Sequence, residues 1–331
     1  MKLANDLRNL VNRDDNLGQL VLITILVFAL MAGLNPEKFL RPYNFESISY
    51  VFPELGLLSI AIMIAMLTGG IDLSIVGIAN LSGILAGTFF HQVIVPHVTP
   101  DGAVLAYVAA GVGIALLTGL AAGLLNGFLI ARLHVTPILA TMGTAQIFTG
   151  LALVLTGGPA IVGFPAYWGF IGNGKLLGLA VPFLLFLAAA VVVAFVLSRT
   201  MLGINLMLIG TNAKAALFAG LRRERMILYS YMLSGVLASL AGIILSGRTN
   251  AAKSDYGTSY LLQAVLIAVL GGTNPSGGRG TVLGVSIAVL ALMFLSSGFQ
   301  LMRFSNFLVD FIWGAFLLLV IALNAYRNRT R

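Results

Sequence analysis

Cysteine is absent from this 331-residue chain. Its absence excludes a disulfide framework, a cysteine-ligated metal and a thiol nucleophile. Charge is nearly as scarce. Asp, Glu, Lys and Arg make up 9% of the residues, against about 25% in a soluble domain. Histidine is limited to His91, His97 and His134, with no ligand-like spacing, so no metal site is expected. No GxxxxGK[ST] loop is present, so the chain itself has no means of cradling ATP. "GTNPSGGRG", 272–280, resembles a phosphate loop in composition only, because no Lys-Ser/Thr follows. No acids or histidines cluster at one depth, which argues against a membrane-bound enzyme. What remains is apolar: 59% hydrophobic residues and a mean hydropathy of +1.01. That much apolar surface cannot be hidden from water, so it faces lipid. The 38 glycines suit helices that pack backbone to backbone in a bilayer. A net charge of +8 then reflects basic loops held on one side of the membrane rather than nucleic-acid binding.

A span needs about 20 apolar helical residues. On that ruler the chain is an all-α polytopic membrane protein with ten spans, near 17–35, 48–68, 72–92, 104–131, 137–156, 178–198, 227–247, 261–272, 281–299 and 306–325. "MKLANDLRNLVNRDDN" is too polar for a cleavable signal, so 1–16 is expected as a cytoplasmic segment before a retained first span. The eighth span is short and runs into "GGTNPSGGRG", 271–280, which cannot stay helical. It is either a broken helix lining a cavity or a short tilted helix with an ordinary loop. Ten spans place both termini on one side. That side collects thirteen of the nineteen Lys and Arg, which makes it cytoplasmic. The other six are Lys38, Arg41, Lys175, Arg248, Lys253 and Arg303.

The longest cytoplasmic loop is then 199–226. Within it "NAKAALFAG" favours helix, with Asn212 as N-cap and Gly220 as stop. Leu217, Phe218 and Leu221 form an apolar face that must be buried against the bundle, the membrane surface or a partner. Near the inner mouth, Asp72 is the only Asp, Glu, Lys or Arg between Gly56 and Pro100. An uncompensated carboxylate at bilayer depth costs roughly 2.5–3.5 kcal/mol on insertion scales. Asp72 therefore reads as a cap on the third span, accepting from N–H groups near Leu73 and Ser74, with Gly69 and Gly70 turning the chain before it. The alternative is a carboxylate that gates a pathway. Polar groups within spans are Asn80, Asn126, Thr141, Thr144, Gln263, Ser296 and Ser297. Each serves a solute pathway or an interhelical hydrogen bond.

Four segments in order carry a resemblance: "GGIDLSIVG" (69–77), "GLLNGFLIARLHVTPILATMGT" (123–144), "IGTNAKAALFAGLRRER" (209–225) and "AVLGGTNPSGGRGTVLG" (268–284). Together they resemble the permease subunit of bacterial ABC importers of the ribose, xylose, arabinose and rhamnose type, which include the autoinducer importers. "SDYGTSYLL" (254–262) and "FLVDFIWGAFLLLVIALN" (307–324) look closest to the rhamnose and autoinducer branches. The resemblance implies a single permease domain over 1–331 in the inner membrane, offering an alternating-access pathway. It implies a second permease copy or a related chain, a cytoplasmic ATPase that holds ATP and Mg, and a periplasmic sugar-binding protein. Gly210, Asn212, Ala215, Ala216 and Gly220 match the family's coupling segment, Phe218 would be its anchor, and Arg222, Arg223 and Arg225 would meet acidic rim residues or lipid headgroups. Many relatives carry acids near positions 261 and 263, where this chain has Leu261 and Gln263. The rival reading is an ion-coupled secondary transporter. It lacks an intramembrane relay, since Asp72 and Asp310 both fall near span ends.

Overall fold

A computed structural model describes residues 15–94 and 100–329. All but the last two residues of the expected N-terminal segment lie outside the described residues, as does His97. Among the described residues there are fourteen helices. They are α1 (Asp15–Leu34), α2 (Pro36–Phe39), α3 (Pro42–Leu67), α4 (Ile75–Val93), α5 (Asp101–Ala131), α6 (Pro137–Thr156) and α7 (Ala166–Asn173). After them come α8 (Val181–Arg199), α9 (Met201–Thr211), α10 (Ala213–Phe218), α11 (Arg223–Thr249), α12 (Tyr260–Leu270), α13 (Val282–Leu301) and α14 (Asn306–Arg329). Proline in the first turn starts α3, α6 and α8, where its missing N–H costs nothing and its fixed φ suits the helix.

The core is built around α3 and α11. Every residue of α3 from Phe52 to Leu67 is buried. It is apolar over nearly all of that length, which is the pattern of a helix enclosed by others. Helix α11 packs against α3, α4 and α5. Its crossing with α5 is close because Gly119, Gly123 and Gly127 repeat every four residues on the facing side of α5. A Cβ at Gly119 would overlap the Gly235 carbonyl, and one at Gly123 the Tyr231 carbonyl. This is the small-residue crossing that bilayers favour, since lipid offers no hydrophobic drive and van der Waals contact must bind the helices. Helices α1, α6 and α8 lie outside this core and expose rows of aliphatic side chains, such as Leu22, Leu139, Val154 and Val191.

Among the described residues, eight helices are long and apolar enough to cross a membrane: α1 from Leu17, α3, α4, α5, α6, α8, α11 and α13. Ten spans were expected, and the two outside these eight are those at 261–272 and 306–325. At 261–272 the helix is only the eleven residues of α12, about 16 Å long, because Gly271 and Gly272 end it. At 306–325 a single helix, α14, runs through the expected span, and most of its side chains from 320 onward lie outside the described residues. The expected third span also starts later, at Ile75, because residues 68–74 are not α-helical.

The loop expected over 199–226 is largely helical. Its apolar run "INLMLIG" forms most of α9, which buries Leu206 and Ile209. The glycine-rich loop after α12 folds back on the bundle. The Gly278 N–H donates to the Leu67 carbonyl at 3.0 Å, and the Thr273 N–H to the Ala268 carbonyl at 3.0 Å. The end of α3, the loop 271–280 and α9 therefore meet at one end of the bundle. At the opposite end, two-residue strands β1 (Ile161–Val162) and β4 (Ala251–Ala252) pair antiparallel, with Ile161 opposite Ala252. Strands β2 (Lys175–Leu176) and β3 (Leu179–Ala180) form a hairpin.

The α5–α11 crossing predicts that Gly235→Val lowers folded yield sharply, as overpacking against backbone costs about 1–3 kcal/mol or more. Gly150→Ala should be tolerated, since a Cβ there meets nothing within 4 Å. Fluorescence size-exclusion of detergent-solubilised protein checks both, and equal yields would contradict the packing described.

Candidate coupling surface and buried polar network

Asp72 sits in the connection between α3 and α4 and is fully buried. Its Oδ1 accepts from the Ser74 N–H at 3.0 Å and from the Ser74 hydroxyl at 2.6 Å. Its Oδ2 accepts from the Ser234 hydroxyl on α11 at 2.8 Å. The expected cap is therefore displaced: α4 begins at Ile75 with Ser74 as its N-cap residue and no side-chain cap bond, and Asp72 bonds Ser74 itself, with no bond from Leu73. Ser234 adds an interhelical tie. Gly69, at φ +82, makes the left-handed turn before it. Gly70 leaves room for the Tyr231 side chain, whose hydroxyl a Cβ there would overlap.

The network continues inward. Asn126 Nδ2 donates to Ser74 Oγ at 2.7 Å, and Thr144 Oγ1 donates to Asn126 Oδ1 at 2.6 Å. Thr141 Oγ1 lies 2.8 Å from the Pro137 carbonyl oxygen and 3.2 Å from that of Ile71. Asp72, Ser74, Asn126, Thr141 and Thr144 therefore come together across α5, α6 and the 68–74 connection. Their hydrogen-bonding capacity is used inside the bundle. Asn80 is likewise engaged, donating to the Ser254 and Tyr256 carbonyls at 2.9 Å each. Of the pathway candidates, Gln263 differs. It lines an open cavity of about 350 Å³ at the β1–β4 end, along with Ser296 and Ser297.

Helix α10 stands at the other end. The Asn212 side chain accepts from the Ala215 N–H at 3.0 Å, the expected N-cap. The helix ends with the Gly220 N–H on the Leu217 carbonyl and the Leu221 N–H on the Ala216 carbonyl, both at 3.0 Å, with Gly220 at φ +78. This is a Schellman ending, and its left-handed residue is one that glycine adopts without steric cost. Ala216 faces the bundle and is buried, Ala215 and Arg222 are exposed, and Phe218 is 92% exposed. Gly210 is not on this outer face. It packs where α9 meets the Leu67 carbonyl and Gly278, with no room for a Cβ. A groove of about 840 Å³ runs beside α10, lined by Gly69, Gly70, Arg132, Leu221, Arg222 and Tyr231, among others. Arg132 and Glu224 pair across its rim at 3.2 Å.

One constellation escaped the sequence reading. Glu54 on α3 is 1% exposed and takes a two-pronged bond from Arg248 on α11, with Nε on Oε1 and Nη2 on Oε2. The Tyr260 hydroxyl adds a longer bond to Oε2 at 3.4 Å. Glu54 and Arg248 are 194 residues apart, so no local signal joins them. The only clue available was a lone acid in the apolar run of α3. Nearby, the Lys253 ammonium donates to Asp255 at 2.9 Å.

With this geometry in place, comparison with known proteins is decisive. A family model described as "Branched-chain amino acid transport system / permease component" matches residues 44–321. The chain belongs to this permease family. The ribose import permease of Bacillus subtilis is 36% identical over 314 residues, covering 94% of this chain and 93% of its own. An autoinducer 2 import system permease of Yersinia enterocolitica is 32% identical, over 92% of this chain and 90% of its own. The L-arabinose ABC transporter permease of Azospirillum brasilense is 29% identical, over 97% and 90%. No solved structure matches. The resemblance carried by the four motifs is thereby borne out, and this permease is a multi-pass protein of the bacterial inner membrane.

Breaking a buried ion pair from one side costs about 3–5 kcal/mol, because the remaining charge is left unpaired. Arg248→Met should therefore destabilise the permease more than Glu54→Gln, since Glu54 is the more deeply buried partner. The double variant should recover much of the loss. Thermal unfolding of the three purified variants measures this, and additive losses would show that the pair is not coupled.

Proposed function

We propose that this permease is the membrane pathway of a binding-protein-dependent ABC importer for a sugar or sugar-like solute. The observation that carries the reading is full-length similarity to import permeases named for ribose, autoinducer 2 and arabinose. In this reading ATP and Mg are held by a separate cytoplasmic ATPase, and a periplasmic sugar-binding protein delivers the solute. A second permease copy or a related chain completes the pathway.

Ten crossings with both termini in the cytoplasm follow if α12 with its irregular approach, 250–259, makes one crossing and α14 another. The basic residues support that orientation. Arg132, Arg222, Arg223 and Arg225 line the groove beside α10, while Lys175, Arg248 and Lys253 gather near the β1–β4 end. Cysteines placed at each terminus, in a chain with no other cysteine, should resist labelling from outside intact cells.

Helix α10 is the link to the ATPase in this scheme. Burying a phenylalanine fully is worth roughly 1.5–3 kcal/mol, enough to anchor Phe218 in a cleft on the partner. Asn212 and Gly220 fix the helix ends, so that a push on Phe218 moves a stiff element. Gly210 passes that motion into the end of α3 and the loop 271–280, from which α13 rises. Access on the two sides then alternates as the bundle shifts. Asp72, tied to Ser74 and Ser234, keeps the α3–α4 connection attached to α11 during that movement.

Phe218→Ala and Gly220→Val should weaken co-purification with the ATPase or uncouple ATP turnover from uptake, without changing sugar preference. Full association and full binding-protein-stimulated turnover in both variants would remove α10 from the coupling role. Uptake into ATP-loaded proteoliposomes should persist when an ionophore collapses proton and sodium gradients. Loss of uptake there would favour an ion-coupled carrier instead.

A further inference from the structure

The cavity beside Gln263 has features that the coupling scheme does not use. It lies between the start of α3, the approach to α12, the end of α13 and the start of α14. Asn44, near the start of α3, is 23 residues from Leu67 at the coupling end, about 35 Å along the helix. The cavity is therefore at the far end of the bundle from α10. Its volume of about 350 Å³ falls at the small end of the roughly 300–1,000 Å³ range of ligand pockets.

Only one pair of its polar side chains is spent on each other among the described residues. Ser297 donates to Asn44 Oδ1 at 2.6 Å, and Asn44 Nδ2 donates to the Phe39 carbonyl at 2.9 Å, so that pair is satisfied. Ser47, Thr258, Gln263, Ser296 and Asp310 also line the space. Their side chains make no hydrogen bond among the described residues. Gln263 is the telling one, because the residue is only 8% exposed and the surface it keeps is on the cavity. Its amide borders that space with donor and acceptor both free, so a solute entering the cavity can bond it. No lysine or arginine lines the cavity, and Asp310 is its one acid. That composition disfavours an anion and offers hydroxyl, amide and carboxylate partners, with Ile48, Val51 and Met293 supplying apolar contact.

Building on the importer reading above, we propose that this cavity is a binding site within the permease for a neutral polyhydroxy solute the size of a monosaccharide. Gln263 is its discriminating group. Its amide both donates and accepts, which matches vicinal hydroxyls, whereas an acid at the same position accepts only when ionised. The shortness of α12 matters here. The chain enters the bundle as a non-helical segment, 253–259, and only then becomes helical, which brings Gln263 to the cavity in the first turns of α12.

The absence of native cysteine allows a direct test. Ser296→Cys is made in the full permease, assembled with its ATPase and binding protein in right-side-out vesicles, and its reaction with a maleimide is timed. D-Ribose, L-arabinose and L-rhamnose are the probes, with ribose 5-phosphate as the anionic comparison. At least one neutral sugar should slow labelling, and ribose 5-phosphate should not. Gln263→Leu, and independently Gln263→Asn, should raise the half-protecting sugar concentration by about fivefold or more, the loss expected for one neutral hydrogen bond. The proposal is overturned if none of the three sugars protects, if ribose 5-phosphate protects equally, or if protection ignores both Gln263 changes. ATP-driven, binding-protein-dependent uptake by the same Ser296→Cys assembly is measured in parallel. Uptake without protection would sink the site and leave the importer reading intact. Protection without such uptake would sink the importer reading and support the site.

Discussion

A charge inside a lipid-embedded bundle is costly unless it finds a partner within the protein or a wet cavity, because lipid supplies none. The rest of this permease is arranged around that constraint. Among the described residues two carboxylates are buried, Glu54 and Asp72, and both reach across to α11. Glu54 is held by Arg248, toward one end of that helix, and Asp72 by Ser234, closer to the other. Helix α3 is thus tied to α11 directly, and again through the connection at its C-terminal end. The glycine crossing of α5 on α11 brings a third helix close enough for Asn126 to join the Asp72 network. Packing and polar pairing are one arrangement here: without the bare backbone at Gly119 and Gly123, α5 could not come near enough for its amide to reach Ser74.

The contrast between inner and outer helices follows from the same physics. Helices α3, α4 and α11 bury most of their lengths and contain the polar side chains that pair. Helices α1, α6 and α8 present aliphatic rows outward and need only enough contact to stay attached. Composition barely separates the two groups, since lipid is as apolar as a protein core. Hydropathy therefore identifies a span but not its depth in the bundle.

That limit explains what could be read from the sequence. The ends of α10 were legible because their signals are local: Asn212 precedes a helix-forming run and Gly220 follows it. The shortness of α12 was legible because glycine and proline cannot prolong a helix. Asp72 drew notice by its isolation, and its contact with Ser74 followed from a spacing of two residues. Ser234 did not, because a serine in a long apolar helix gives no sign of which face it occupies. The Glu54–Arg248 pair joins distant parts of the chain, and only the three-dimensional path brings them together. Helix α9 was missed because its apolar run was read as part of a connecting loop, although that run is buried against the bundle. Among the polar residues singled out within spans, spacing could not tell Asn126, whose bonds are made internally, from Gln263, whose amide borders open space.

The small ladder between β1 and β4 has a consequence for how the chain is made. Val162 is paired with Ala251, so one strand is synthesised long before the other. At about 5–20 residues per second, the earlier strand waits several seconds for its mate, with its ladder donors and acceptors unpaired. During that interval α8 to α11 must all be threaded and set in place. The ladder closes only after α8 to α11 have been made, so it forms late and is no early nucleus.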